Sequence, residues 1–146
     1  MQSTENTILT PVILRVMRHP LSEDRRAALA VVFGDDLEVV TEDVPYGADP
    51  VAAVQAVIDM IEATEEREVV AVEAGGPEPV MIALVEGLAE QGIHVLRQVF
   101  KRGEDGRVIV TGQDERGRDI LAFGGYEVVG VEVRKALVQR PLEAPV

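Results

Sequence analysis

Short, nearly all-apolar runs alternate with longer stretches in which apolar residues recur every three or four positions, and this alternation fills the first two thirds of the chain. Val12 to Met17 is apolar except for Arg15, the pattern of a strand covered on both faces in a parallel sheet. A helix follows from Glu23 to Phe33, with Ser22 as N-cap, Glu23 and Asp24 complementing its dipole, and Gly34 at its end. Leu37 to Val44 interleaves polar with apolar residues and reads as a second strand at or near a sheet edge. The second helix has the clearest start, with Asp49 as N-cap and Pro50 at its first position. Val51, Val54, Val57, Ile58 and Ile61 supply its apolar face, and it ends in Glu65-Glu66-Arg67. Val69 to Val72 is a short buried strand; Glu73-Ala74-Gly75-Gly76-Pro77-Glu78-Pro79 turns it into a third helix, Val80 to Gln91, closed by Gly92.

The pattern then changes. Ile93 to Phe100 begins a fourth strand, and Arg102-Gly103-Glu104-Asp105-Gly106 turns into Arg107 to Val110. Asp114-Glu115-Arg116-Gly117 leads to Ile120 to Phe123, and Gly124-Gly125 separates that run from Tyr126 to Val131. A brief helix from Val133 to Gln139 is expected before Pro141. Three strand–helix units followed by strands predict an α/β fold: a three-layer sheet with helices on both faces and a C-terminal antiparallel β extension.

The chain has 146 residues, 47% of them apolar, which suits one domain, residues 1–146, with residues 1–10 expected to be a flexible N-terminus. Its formal net charge of −12 would repel a long phosphate backbone, so no duplex nucleic acid is expected as a partner, whereas a local basic pocket can still hold a small anion. The absence of cysteine removes disulfides, thiol nucleophiles and thiolate metal sites, and neither a cofactor nor a metal site is expected. No apolar stretch is long enough to span a bilayer and the N-terminus lacks a basic leader, so no membrane partner and a cytoplasmic location are expected.

Against this acidic background the turn Arg18-His19-Pro20-Leu21-Ser22 stands where strand one gives way to helix one. In α/β folds that place gathers backbone N–H groups around ligands, and anions are favoured there. Arg18 offers a charged fork of donors, His19 can move a proton near neutral pH, and Ser22 adds a hydroxyl, although capping alone accounts for Ser22. Arg18 and His19 have two open readings, a phosphodiester site or an ion pair and a packed imidazole. Gly75, Gly76 and Pro77 form a second candidate, a turn over which a ligand can approach the backbone, although a plain helix-initiating turn explains it nearly as well. Arg97, Lys101, Arg102 and Arg107, beside Glu104 and Asp105, read as a solvated hairpin, and His94 as a structural histidine. Neither GxGxxG nor a P-loop is present, and no hydrolase or metalloprotease motif occurs.

The His19-Pro20-Leu21-Ser22 turn after an apolar strand, the unit ending in Gly75-Gly76-Pro77, and the closing Tyr126 to Val131 followed by Arg134 together resemble the small type III CRISPR-associated accessory proteins grouped with ring nucleases. The resemblance spans most of the chain, while the hairpin from Arg102 to Gly117 is long for the family. It implies a Rossmann-like subunit that forms a homodimer or higher oligomer and binds a cyclic oligoadenylate, which it sequesters or cleaves in antiviral defence. On that reading Arg18 and His19 are catalytic, and Arg18, His19, Ser22, Gly75, Gly76 and Pro77 bind the ligand. Cleavage would be metal-independent, by attack of a ribose 2′-hydroxyl on its own phosphate. The alternatives are a non-enzymatic oligomerising scaffold or regulatory protein, in which Arg18 and His19 are structural, and a small-molecule enzyme using the same strand ends.

Overall fold

A computed structural model describes residues 10–43, 49–64, 67–131 and 137–142. The expected flexible segment therefore lies, but for Thr10, outside the described residues, as does Val44 at the end of the expected second strand. The described chain runs β1 (Pro11–Val16), α1 (Glu23–Phe33), β2 (Glu38–Glu42), α2 (Pro50–Ala63), β3 (Glu68–Glu73), α3 (Glu78–Ala89), β4 (His94–Phe100), β5 (Val110–Gln113), β6 (Asp119–Leu121), β7 (Phe123–Val131) and β8 (Leu137–Pro141). Six strands form one sheet in the order β2-β1-β3-β4-β7-β8, and β5 and β6 form a separate hairpin. β1 to β4 are parallel; β7 and β8 are antiparallel to their neighbours. The α/β architecture with an antiparallel extension is the one the residue pattern predicts, and β2 occupies the expected edge.

Strand alternation divides the core into two layers. Val12, Leu14, Val16, Val72, Val95 and Val129 face α2 and α3, where Ala53, Val57, Leu84 and Leu88 complete one cluster. Ile13, Ala71, Leu96 and Tyr126 face the opposite way, against Leu29 of α1. Burying each of the leucines contributes roughly 1.5–3 kcal/mol. Chain order reverses at β1, which has β2 on one side and β3 on the other, so the carboxyl ends of β1 and β3 flank the topological switch point where α/β sheets open a crevice.

Four sequence readings change. Val51 is 79% exposed, because the buried stripe of α2 centres on Ala53 and Val57 and Val51 lies about 120° around the helix from Val57 at 3.6 residues per turn. Ser22 occupies the N-cap position by its backbone, its carbonyl accepting from Arg26 N–H, yet its hydroxyl makes no cap bond. That hydroxyl instead donates to Asp24 and accepts from Arg25 Nη1 at 2.9 Å, a charge-assisted bond. Gly124-Gly125 does not break the strand: β7 is continuous, and Phe100 pairs with Phe123 while Val99 pairs with Gly125, leaving Gly124 as a bulge. The helix expected over Val133 to Gln139 lies outside the described residues as far as Ala136; from Leu137 the chain is β8, whose backbone is satisfied by pairing with β7.

Candidate functional site

The switch point places a charged, fully buried pair beneath the carboxyl end of the sheet. Arg15 in β1 stands opposite Thr41 in β2 and opposite Glu73 in β3, all on the α1 side of the sheet. Arg15 Nε donates to Glu73 Oε1 at 3.0 Å, and the two side chains are 0% and 1% exposed. Arg15 Nη1 donates to the carbonyl of His19 at 3.0 Å and to Thr41 Oγ1 at 3.2 Å, while Nη2 meets Met17 Sδ at 3.0 Å. Glu73 also accepts from the Tyr126 hydroxyl at 2.7 Å and, through Oε2, from Gln98 Nε2 at 2.6 Å. Burial, and the Glu73 charge beside it, push the Tyr126 hydroxyl well above its usual range, so the phenol stays protonated and donating.

Gln98 extends the network. Its Oε1 accepts from Arg25 Nε at 3.0 Å, and Arg25 reaches the Ser22 hydroxyl while its guanidinium lies 4.7 Å over the Phe123 ring. Phe123 in turn meets Tyr126 edge-on at 5.1 Å. The chain of bonds thus crosses β2, β1, β3, β4 and β7 and returns to the start of α1.

Above this floor lie two adjoining clefts that share His19. The first, about 460 Å³, is lined by Val16, Met17, His19, Glu73, Gly75, Arg97 and Gln98, among others. The second, about 660 Å³, lies between the Arg18-His19-Pro20 turn and the β5–β6 hairpin tip, with Asp114, Glu115, Arg116 and Arg118 on its far wall. Asp114 accepts the backbone N–H groups of Arg118 and Arg116, both at 2.9 Å, and the Arg118 bond above all holds its carboxyl below the usual range. His19 is exposed, and Arg18, 69% exposed, pairs with Asp43 at 3.5 Å. Such an exposed pair is worth little and yields readily to a better anion.

Gly75 lines the first cleft, and a side chain built on it would meet nothing within 4 Å, so there is room beside its Cα. Gly76, at a φ of +138°, and Pro77, whose carbonyl accepts from Val80 and Met81 N–H, lead the chain into α3. Ser22 belongs to the network below rather than to either cleft wall. Arg97, read as part of a solvated hairpin, instead borders the first cleft and pairs with Glu127 at 3.2 Å. Arg102 and Arg107 fit the hairpin reading, bonding to Gly106 O and pairing with Asp105. His94 is exposed at the start of β4, in a groove at the opposite end of the sheet.

A carboxylate on the floor of a cleft ordinarily repels anions. Here Arg15 cancels the charge of Glu73, and the Tyr126 and Gln98 donors occupy its oxygens, so the walls set the local field: Arg18 and Arg97, each paired with a carboxylate, and Arg116 and Arg118 beside Asp114 and Glu115. Residue-by-residue reading missed Glu73, Gln98, Arg25 and the hairpin pair Arg116 and Arg118. The signal for Glu73 was present, since a second charge at the end of an apolar strand matches the lone charge of Arg15.

Among the described residues no helix is long and apolar enough to cross a membrane, and no group of three or more His, Asp or Glu side chains is placed to hold a metal ion. Compared with known proteins, the chain matches no protein-family model and no curated protein.

Proposed function

We propose that the paired clefts bind a compact anionic nucleotide, in the specific form a cyclic oligoadenylate, and hold or cleave it in a type III CRISPR antiviral response. The observation that carries this reading is the meeting of two clefts at His19, lined between them by Arg18, Arg97, Arg116, Arg118 and Gly75, with Asp114 and Glu115 beside the last two arginines, in a chain of net charge −12. A ligand with several phosphates around a ring suits cations spread over two neighbouring walls better than a single phosphate does. The His19-Pro20-Leu21-Ser22 turn supplies the second support, through its resemblance to the ring-nuclease group. A two-fold dimer would present the turn twice to a ring of near-rotational symmetry.

Cleavage needs positioning above all: the ribose 2′-hydroxyl attacks its adjacent phosphorus and the 5′-oxygen leaves. Arg18 would stabilise the charge on the phosphoryl oxygens, and His19 would take the hydroxyl proton or deliver one to the leaving oxygen. The test is incubation of the purified protein with cyclic tetra-adenylate and cyclic hexa-adenylate in EDTA, with calorimetry for binding and chromatography for products. Intact bound ligand identifies a sequestering protein, linear products a nuclease, and no binding of either ring overturns the reading. Arg18→Ala and His19→Ala should each abolish turnover and weaken binding at least about tenfold, with the fold unchanged. Loss of assembly alone would mark a scaffold.

A further inference from the structure

We infer that Glu73 is the positioning residue of the His19–Ser22 turn, holding both of its ends from inside the core by two separate hydrogen-bonded arms. The first arm is Arg15: its Nε is fixed on Glu73 Oε1 at 3.0 Å, and its Nη1 donates to the His19 carbonyl at 3.0 Å. The second is Gln98 and Arg25: Gln98 Nε2 sits on Glu73 Oε2 at 2.6 Å, its Oε1 receives Arg25 Nε at 3.0 Å, and Arg25 Nη1 reaches Ser22 Oγ at 2.9 Å. One carboxylate therefore ties down the first and last residues of the segment His19-Pro20-Leu21-Ser22.

Three features separate this arrangement from a core ion pair present for stability. Replacing a fully buried pair by apolar residues of similar volume is often neutral or stabilising, so stability alone gives little reason to retain one. Beyond Glu73, moreover, Arg15 spends its donors on Thr41, Met17 and the His19 carbonyl, toward the strand ends and the cleft rather than deeper into the core. Finally, the orientation of the Gln98 amide is dictated by its neighbours: its nitrogen faces a carboxylate, with Met17 Sδ as a longer second contact at 3.9 Å, and its oxygen faces a guanidinium, so the amide carries the position of Glu73 to Arg25. Tyr126 completes the hub by occupying the remaining direction on Oε1. The consequence is a histidine that is exposed to ligand yet has its backbone held from below, the rigid support a binding or proton-transferring side chain requires.

The inference rests on the geometry of the turn, and its bearing on nucleotide binding rests on the function proposed above. It is tested by backbone amide NMR relaxation on the full chain. In Arg15→Met/Glu73→Leu/Tyr126→Phe, which replaces the hub by apolar side chains of similar shape, the order parameters of His19, Leu21 and Ser22 should fall from about 0.85 to below about 0.6. Those of Val70, Ala71 and Val72 in β3 should stay as in the parent protein. Parent-like order parameters in the turn, in a variant with parent-like melting, overturn the inference. Should that variant fail to fold, Gln98→Leu decides, because it cuts the second arm and removes no charge. The order parameter of Ser22 should then fall while that of His19 holds, and an unchanged Ser22 overturns the inference. Cyclic tetra-adenylate and cyclic hexa-adenylate titrated into the same samples separate the two ideas. If the parent protein binds neither ring, the functional reading fails and the relaxation result still decides the role of Glu73. If it binds either, both variants should weaken that binding at least about tenfold.

Discussion

The buried hydroxyl of Tyr126 makes the hub measurable one group at a time. Its bond to the Glu73 carboxylate is charge-assisted, and Tyr126→Phe should destabilise the fold by about 1.5–3 kcal/mol in urea unfolding at neutral pH. The same substitution has a signature in alkali. In the folded chain the phenol keeps its proton well above its ordinary value of 10.0, whereas in the unfolded chain it ionises near that value. Above pH 10.0 the unfolded state therefore binds fewer protons than the native state, and stability falls as pH rises, by at most about 1.4 kcal/mol per pH unit from this group. Below that pH both states are protonated and the contribution is fully present. The difference in unfolding free energy between parent and Tyr126→Phe should thus be flat up to about pH 10 and shrink beyond it, and a difference that stays constant through that range would refute a protonated, donating Tyr126. Sequence alone marks Arg15 as an anomaly and Arg18 and His19 as candidates. It does not mark Glu73, Gln98 or Arg25 as their supports, because Glu73 lies 58 positions from Arg15 and Gln98 lies 73 from Arg25, in no local pattern, and they meet only once β1, β3 and β4 are laid side by side.

At the scale of elements, the change from three strand–helix units to strands is legible because local signals agree with the fold: the Asp49-Pro50 start of α2 is capped as expected, Asp49 accepting from Val51 and Ala52 N–H at 3.0 and 3.3 Å. Where local and distant preferences compete, pairing decides. Leu137 to Gln139 has apolar spacing compatible with a helix, yet β7 offers it a ladder from Glu127–Pro141 to Val131–Leu137. The diglycine at 124 and 125 has the composition of a turn, yet it serves as a bulge that lets β7 pass β4 closely. A side chain at Gly124 would come within 3.1 Å of Lys101 N and 3.2 Å of both Phe100 C and Val99 O, all backbone atoms that cannot swing aside. Gly124→Ala should accordingly cost about 1–3 kcal/mol in urea unfolding. Because the bulge lies next to Phe123, on which Arg25 rests, the substitution should also loosen the Arg25–Ser22 arm, read as a lower backbone order parameter at Ser22. A neutral substitution would show that the close approach is not required.

For the molecule as a whole, the distribution of charge matters more than its sum. A net charge of −12 sets a repulsive long-range field for any anion, while Arg18, Arg97, Arg116 and Arg118 offer an anion charged donors over the few ångströms of the clefts, with Asp114 and Glu115 offsetting part of their charge. Salt acts on these two fields differently. The Debye length falls from about 30 Å at about 0.01 M to about 10 Å at about 0.1 M, so moderate salt removes the distant repulsion before it weakens contacts inside the clefts. A fluorescent cyclic oligoadenylate mixed rapidly with the protein should therefore associate faster as ionic strength rises over that range, the reverse of the behaviour of a basic nucleic-acid-binding surface. Its dissociation rate should rise only modestly over the same range, since the close cation–phosphate pairs are screened less than the field outside. An association rate that falls with added salt would mean that the arginines dominate the field well beyond the clefts, and that discrimination against long nucleic acids has to come from the shape of the site rather than from the acidic surface around it.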